Sequence, residues 1–254
     1  MTDLIFYHDD IYKGSLILVN RDYPLVQSKK PDLRPAVDSF SNIPMEINAA
    51  NILSLLLDAV NSENAIIPVS GYRTPEEQSR IYNHSLNENG AEFTDRYVAL
   101  PYHSEHHTGL AIDLAMKQDH IDFIRPYFPY EGICNDFRKL APLYGFIERY
   151  PLGKENITGI AHEPWHFRYV GFPHSKLISE RGISLEEYIE DLRSYSYGGK
   201  HLYYKHHNQV IEIFYICLSN VYSTKISIRE NTLYQVSGNN VDGVIITIWR
   251  KSNE

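Results

Sequence analysis

Apolar residues recur at helical spacing from Ile47 to Val60, where Ile47, Ala50, Leu53, Leu57 and Val60 share one stripe, and this spacing predicts a helix. Ala65 to Val69 is instead an apolar run of strand length that leads into the turn Ser70-Gly71-Tyr72-Arg73. Thr74-Pro75-Glu76-Glu77 then offers a capping residue, a proline at the first helical position and a glutamate at the third. That combination starts a helix reaching about Ser85, with Gln78 one turn in. The polar, glycine-containing stretch from Asn87 to His103 reads as a loop, a candidate rim or lid. Leu110 to Ala115 alternates with period two, setting Leu110, Ile112 and Leu114 against a core and Asp113 among the small residues Ala111 and Ala115. Asp136 to Tyr144 reads as a helix stopped by Gly145, and Phe146 to Tyr150 as extended. Trp165 to Val170 alternates again, with Trp165, Phe167 and Tyr169 opposite His166, Arg168 and Val170. Ser184-Leu185-Glu186-Glu187 opens a last helix that ends near Ser194.

After Ser194-Tyr195-Ser196-Tyr197-Gly198-Gly199 the composition changes. Leu202–Tyr204, Val210–Cys217, Thr224–Ile228 and Val244–Trp249 are rich in β-branched and aromatic residues, and turn formers separate them at His207-Asn208, Ser237-Gly238-Asn239-Asn240 and Asp242-Gly243. The expected organisation is α+β: residues 1–196 form a core with a small antiparallel sheet flanked by helices, and residues 197–254 form a small all-β module. Tyr203, Tyr204, Phe214, Tyr215, Tyr222, Tyr234 and Trp249 could present a glycan-binding face, but in so short a module they are expected to make the core.

Composition narrows the function. A net charge of −8 argues against a general nucleic-acid or anionic-membrane surface. No run approaches the roughly 20 apolar residues of a spanning helix. Met1 to Asn20 lacks the sustained apolar centre of a signal peptide. Cys134 and Cys217, far apart, offer no disulfide framework and suit a reducing cytoplasm.

The candidate chemistry lies in Ser104-Glu105-His106-His107-Thr108-Gly109-Leu110-Ala111-Ile112-Asp113 and, later, Glu163-Pro164-Trp165-His166. Two histidines and a carboxylate match the ligand set of a catalytic zinc, which keeps a fourth position for water or substrate. On one straight helix His106 and Asp113 would stand about 10 Å apart along the axis, too far for two ligand bonds of about 2 Å. They need a turn between them, and Gly109 supplies its flexible point. Glu163 has the wrong parity to share a strand face with His166. Pro164 suggests that Glu163 precedes the regular strand and turns back, where it would act on the water. Spacing alone leaves two readings open: a zinc hydrolase site, or histidines and an aspartate with unrelated surface and turn roles.

The pattern Ser-x-His-x-x-Gly-x-Ala-x-Asp with a later Glu-x-x-His resembles the zinc D,D-peptidases that cut D-Ala-D-Ala, the family of the VanX dipeptidases and VanY carboxypeptidases. Ser70-Gly71-Tyr72-Arg73-Thr74 with Gln78, Ala99-Leu100-Pro101, and Glu163 through Gly171 are similar to the bifunctional VanXY type of vancomycin-resistance systems. The resemblance covers roughly residues 10 to 195. It implies a zinc D,D-peptidase fold, with His106, Asp113 and His166 as zinc ligands, Glu163 as general base and Arg73 stabilising charge on the reacting carbonyl. Gln78 and Ser104 would hold substrate. Ser70 could present a hydroxyl to the dipeptide or merely end a strand. His107, His103 and His162 are expected near the site or exposed, not as ligands. The implied substrates are small peptides ending in D-Ala-D-Ala, met in the cytoplasm. Alternatives are a zinc L,D-peptidase or peptidoglycan endopeptidase, a catalytically inactive cell-wall binding protein, and a domain with a structural zinc.

Overall fold

The computed structural model describes residues 1–26, 30–62, 64–219 and 222–251. In chain order, the first elements are β1 (Thr2–Tyr7), β2 (Leu33–Pro35), β3 (Pro44–Glu46), α1 (Ile47–Ala59), β4 (Ile66–Ser70), α2 (Pro75–Tyr97), β5 (Ala111–Met116), α3 (Gly132–Leu140) and β6 (Phe146–Tyr150). Next come α4 (Glu155–Thr158), β7 (Glu163–Tyr169), α5 (His174–Arg181), α6 (Leu185–Leu192), β8 (Leu202–His206), β9 (Gln209–Cys217), β10 (Ser223–Ile228), β11 (Leu233–Gly238) and β12 (Gly243–Lys251). No helix among the described residues is long and apolar enough to cross a membrane.

Val19–Ser184 forms one compact unit. Its main sheet is antiparallel in the order β4-β5-β7-β6. The two period-two segments behave as their alternation requires. Leu110, Ile112 and Leu114 with Trp165 and Phe167 enter the apolar core, joined by Leu53 and Leu56 of α1 and Phe137 of α3. The opposite face of β5 and β7 is left to Asp113, His166 and Arg168. Parity at Glu163 is settled by a bulge: Glu148 pairs with Phe167 but Tyr150 pairs with Glu163, so β7 carries extra residues around Pro164. Glu163 is therefore the first residue of the strand and does not precede it.

The stretch expected as a loop from Asn87 is helical to Tyr97. α2 runs through it with one break at Gly90, whose φ of 79° and ψ of 171° lie outside helical space. The arm after the break is tied back by Ser85 Oγ to Thr94 Oγ1 at 2.8 Å and by Tyr82 Oη donating to Asp95 at 3.0 Å. Only Gln78, Ser85 and Thr94 of this helix are buried. Without an apolar stripe, period-based reading had nothing to detect.

The second compact unit combines Met1–Leu18 with Leu185–Glu254, a different division from the expected 1–196 and 197–254. β1 pairs antiparallel with β10, Thr2 opposite Ile228, and Phe6 and Ile11 join Phe214, Ile216, Ile226, Ile228, Val244, Ile246 and Ile248 in one core. Their partners lie more than 200 residues away in sequence, so no local composition shift could mark the division. A four-stranded sheet β11-β12-β9-β8 completes the unit. β11 includes Ser237 and Gly238, which the sequence placed in a turn. A Cβ on Gly238 would sit 2.0 Å from the Ile11 carbonyl oxygen, so only glycine permits this approach. The aromatic core expected here is corrected: Phe214 and Tyr215 are buried, but Tyr203, Tyr222 and Tyr234 are 58%, 88% and 39% exposed. Isoleucine and valine, shaped for the pleated surface, fill most of the interior, while Tyr203, Tyr222 and Tyr234 lie largely outside it.

Candidate active site

β5 and β7 place Asp113 directly opposite His166, and β4 places Ser70 opposite Asp113. His106 reaches the same spot from a short 3-10 turn, Glu105–Thr108, which Gly109 ends in the left-handed region at φ 72° before β5 begins. This is the turn that the separation of His106 and Asp113 demands. His106 Nδ1 donates to the Gly71 carbonyl at 2.6 Å, Arg73 N–H donates to the His106 carbonyl at 3.2 Å, and His107 Nδ1 donates to the Arg73 carbonyl at 2.8 Å. The two neighbouring histidines thus clamp the Gly71–Arg73 turn beside the strands.

The ligand atoms of His106, Asp113 and His166 all lie within 4.8 Å of one another, and all three residues are buried. His106 Nε2 is 3.2 Å from Asp113 Oδ2, and His166 Nδ1 is 2.9 Å from Asp113 Oδ1. His106 spends its Nδ1 proton on a backbone carbonyl, which leaves the Nε2 lone pair facing the carboxylate. Two imidazoles and a carboxylate converging in a buried space fit a metal ion by donor chemistry and by geometry. His103, His107 and His162 stand apart, committed respectively to the Asn20 carbonyl, to Arg73 and Tyr102 backbone groups, and to Tyr130 Oη. Among the described residues the group could thus offer three ligand atoms to a metal ion, with the open cavity beside it for a fourth from solvent or substrate, unlike a closed structural site.

Glu163 Oε2 stands 3.7 Å from His166 Nδ1. Burial pushes the Glu163 carboxyl up to about 8, with neighbouring carboxylates adding to the effect and His166 and Arg73 opposing it. Burial alone would raise Asp113 too, but His106 and His166 hold it well below the usual carboxylate range. The histidines diverge. Burial and Arg73 push His106 down to about 4, whereas for His166 the facing carboxylates of Asp113, Glu105 and Glu163 outweigh burial and push it up to about 9.

Arg73 Nη2 lies 3.3 Å from Asp113 Oδ2. Its Nη1 donates to Gln78 Oε1 at 2.9 Å, and Gln78 Nε2 donates to the Ala99 carbonyl at 2.7 Å. Gln78 is 1% exposed, with both ends of its amide engaged. Ser70, Arg73, Gln78, Ser104, His106, Asp113, Glu163 and His166 all line one open cavity of about 560 Å³.

Sequence reading passed over Glu105, Arg149 and Tyr150. Tyr150 packs its ring 4.9 Å from that of His166 and lines the cavity. Glu105 accepts from Arg149 Nε at 2.8 Å and Arg168 Nη1 at 2.7 Å, all three side chains fully buried. Their signal was available in the alternation: Arg168 shares the parity of His166, a charged residue on an inward face.

A family model described as D-alanyl-D-alanine carboxypeptidase, VanY, matches residues 42–172. The bifunctional D-Ala-D-Ala dipeptidase and carboxypeptidase VanXYC of Enterococcus gallinarum is 43% identical over 181 residues, 70% of this chain and 95% of that protein. Among solved structures, the vancomycin-resistance D,D-dipeptidase VanXYg in complex with a D-Ala-D-Ala phosphinate analogue superposes with a TM-score of 0.95 at 51% identity, covering 98% of this chain and 99% of its own. A mutant of the D,D-pentapeptidase VanY from a VanB-type cassette, in complex with Zn(II), covers 69% of this chain and 98% of its own at 32% identity and a TM-score of 0.57.

Proposed function

The chain belongs to the VanY family of D-alanyl-D-alanine carboxypeptidases, and from that premise we propose that it hydrolyses the D-Ala-D-Ala amide both in the free dipeptide and at the end of pentapeptide cell-wall precursors. The observation that carries this reading is the convergence of His106, Asp113 and His166 with Glu163 and Arg73 on one cavity. The metal is zinc, held by those two histidines and the aspartate. When bound there, it would polarise the scissile carbonyl and acidify a water molecule.

The chain's own groups supply the rest. Glu163, whose buried carboxyl has a proton affinity near neutrality, takes the proton of the attacking water and returns it to the departing amine of D-Ala. Arg73 pairs with the negative charge that develops on the carbonyl oxygen. Gln78 lines the cavity where substrate would lie and also steadies Arg73: its carbonyl holds the guanidinium and its amide is anchored on Ala99. Ser104 and Ser70 face the cavity and hold the peptide. The open cavity leaves room for the residues that precede D-Ala-D-Ala in a pentapeptide. The setting is the cytoplasm, consistent with free cysteines at Cys134 and Cys217. Removing D-Ala-D-Ala termini there would contribute to vancomycin resistance.

The test is D-Ala release by zinc-loaded protein from D-Ala-D-Ala, from a precursor pentapeptide and from L-Ala-L-Ala. Release from the first two and not from the third is expected. Comparable cleavage of the L,L dipeptide removes the D,D assignment, and an intact pentapeptide makes the protein a strict dipeptidase. Arg73→Ala should lower kcat more than it raises KM, because its partner forms in the transition state. Lysine there should restore little, lacking the planar fork. An effect confined to KM would reassign Arg73 to substrate binding.

A further inference from the structure

The face of the sheet behind His166 holds an ionic group that the reaction as described does not use. Glu105 directly precedes the candidate ligand His106, yet its side chain turns the other way into the protein, where it is fully buried. One oxygen, Oε1, takes both Arg149 Nε and Arg168 Nη1, at 2.8 and 2.7 Å. The other, Oε2, has no hydrogen-bond partner and lies 3.6 Å from His166 Nε2, which has none either. A buried carboxylate oxygen and a buried imidazole nitrogen, each lacking a partner and facing each other, are complementary: a movement of about half an ångström brings them within ordinary hydrogen-bond distance.

We propose that Glu105 is a positioning residue for His166, accepting the Nε2 proton so that the Nδ1 lone pair is turned toward the metal. The inference rests on the zinc reading above. It explains why the two histidines use opposite nitrogens. His106 gives its Nδ1 proton to the Gly71 carbonyl and presents Nε2, whereas His166 presents Nδ1 to the Asp113 side and needs a proton acceptor behind Nε2. A backbone carbonyl serves the first and a carboxylate the second. A carboxylate behind an imidazole fixes its tautomer and ring orientation and makes it a more basic ligand. Arg149 and Arg168, each fully buried itself, pair with that carboxylate and keep it ionised and directed despite its burial. The device also joins the two halves of the site, because the Glu105 backbone belongs to the turn that carries His106 while Arg168 lies two residues beyond His166 on β7.

Two measurements test it. In wild-type protein with ¹⁵N-labelled histidine, the His166 Nε2 proton should be present and slow to exchange, in zinc-free and zinc-loaded samples alike. A proton on Nδ1 with Nε2 bare in the zinc-free protein, or Nε2 as the zinc-coordinating nitrogen, overturns the proposal without any variant being made. Glu105→Gln should then weaken zinc binding about 10- to 100-fold in competition with a chelator, and the slow Nε2 proton should be lost. Glu212→Gln is the control: this carboxylate also pairs with an arginine and a histidine, Arg250 and His201, but in the other compact unit, and its loss should leave zinc affinity unchanged. Unaltered zinc affinity in folded Glu105→Gln overturns the proposal while leaving the zinc site standing. Failure of wild-type protein to bind zinc at all would instead remove the underlying reading and this inference with it.

Discussion

The two four-stranded sheets of this protein are built alike and filled differently. In β4-β5-β7-β6 one face is apolar and the other buries Glu105, Asp113, Arg149, Glu163, His166 and Arg168. In β11-β12-β9-β8 the buried positions are mostly isoleucine and valine, as at Ile211, Ile213, Ile216, Val244, Ile246 and Ile248. Apolar filling gains stability in proportion to area. Buried charges lose hydration and repay it only through close pairing, so a carboxylate or histidine held there is weak evidence for stability. The contrast teaches where to look for chemistry: on the sheet face where ionisable groups are buried despite that penalty and are shifted in opposite directions.

The contrast can be broken most forcefully at Glu163. Glu163→Ala should keep zinc yet lose at least about two orders of magnitude in turnover, a barrier increase of about 2.7 kcal/mol or more. His166→Ala should lose the metal itself. Metal analysis beside steady-state kinetics separates these outcomes, and near-normal turnover in Glu163→Ala would withdraw its role. On the other sheet Ile246→Ala, at a fully buried position, should lower unfolding free energy by about 2–5 kcal/mol and leave zinc affinity alone. Denaturant titration with a zinc competition assay checks both halves of that statement.

A smaller effect sharpens the electrostatic side. Because its carboxylate neighbours outweigh burial and push His166 up to about 9, a metal held by His166 as proposed would have to displace its proton at neutral pH. Affinity should therefore fall as pH is lowered below about 9, by about tenfold per pH unit for the His166 proton and more steeply below about 8, where Glu163 also holds a proton in the metal-free protein. Asp113, held low, adds nothing to this slope near neutrality. A flat affinity between pH 6 and 8 would show that His166 carries no extra proton in the metal-free protein. The smallest change belongs to the exposed surface. Tyr203→Phe removes a 3.2 Å hydrogen bond to Glu212 from a side chain 58% exposed, and stability should move by no more than about 0.5 kcal/mol in the same denaturant titration.

Much of the site could be read from the chain because its residues sit on elements with clean periods. Alternation along β5 and β7 put Asp113 and His166 on one face, and the geometry of a straight helix excluded a single element for His106 and Asp113. The cap at Thr74 was equally readable: its hydroxyl accepts from Glu77 N and the Glu77 carboxylate accepts from Thr74 N. What escaped was whatever depended on a distant partner or on a register irregularity. Gln78 lines the cavity as a substrate contact would, and only the fold shows that its amide also bridges Ala99 and Arg73. Glu105 carries no local signal of its own, and only the fold shows Arg149 and Arg168 closing around it beside the candidate ligand His106.

By itself the sequence determined the periods, the caps, the turn at Gly109 and the residue types able to hold a metal, since each of these depends on neighbours within a few positions. Only the tertiary structure decided that β1 belongs with β10, that the arm beyond Gly90 stays helical, that a bulge at Pro164 brings Glu163 onto the strand, and which nitrogen of His166 faces Glu105. The physical reason is common to all four. Each is selected by burial and hydrogen bonding between residues far apart along the chain or offset by a register shift, and local periodicity carries no information about which distant partner satisfies a buried polar group or covers an apolar one.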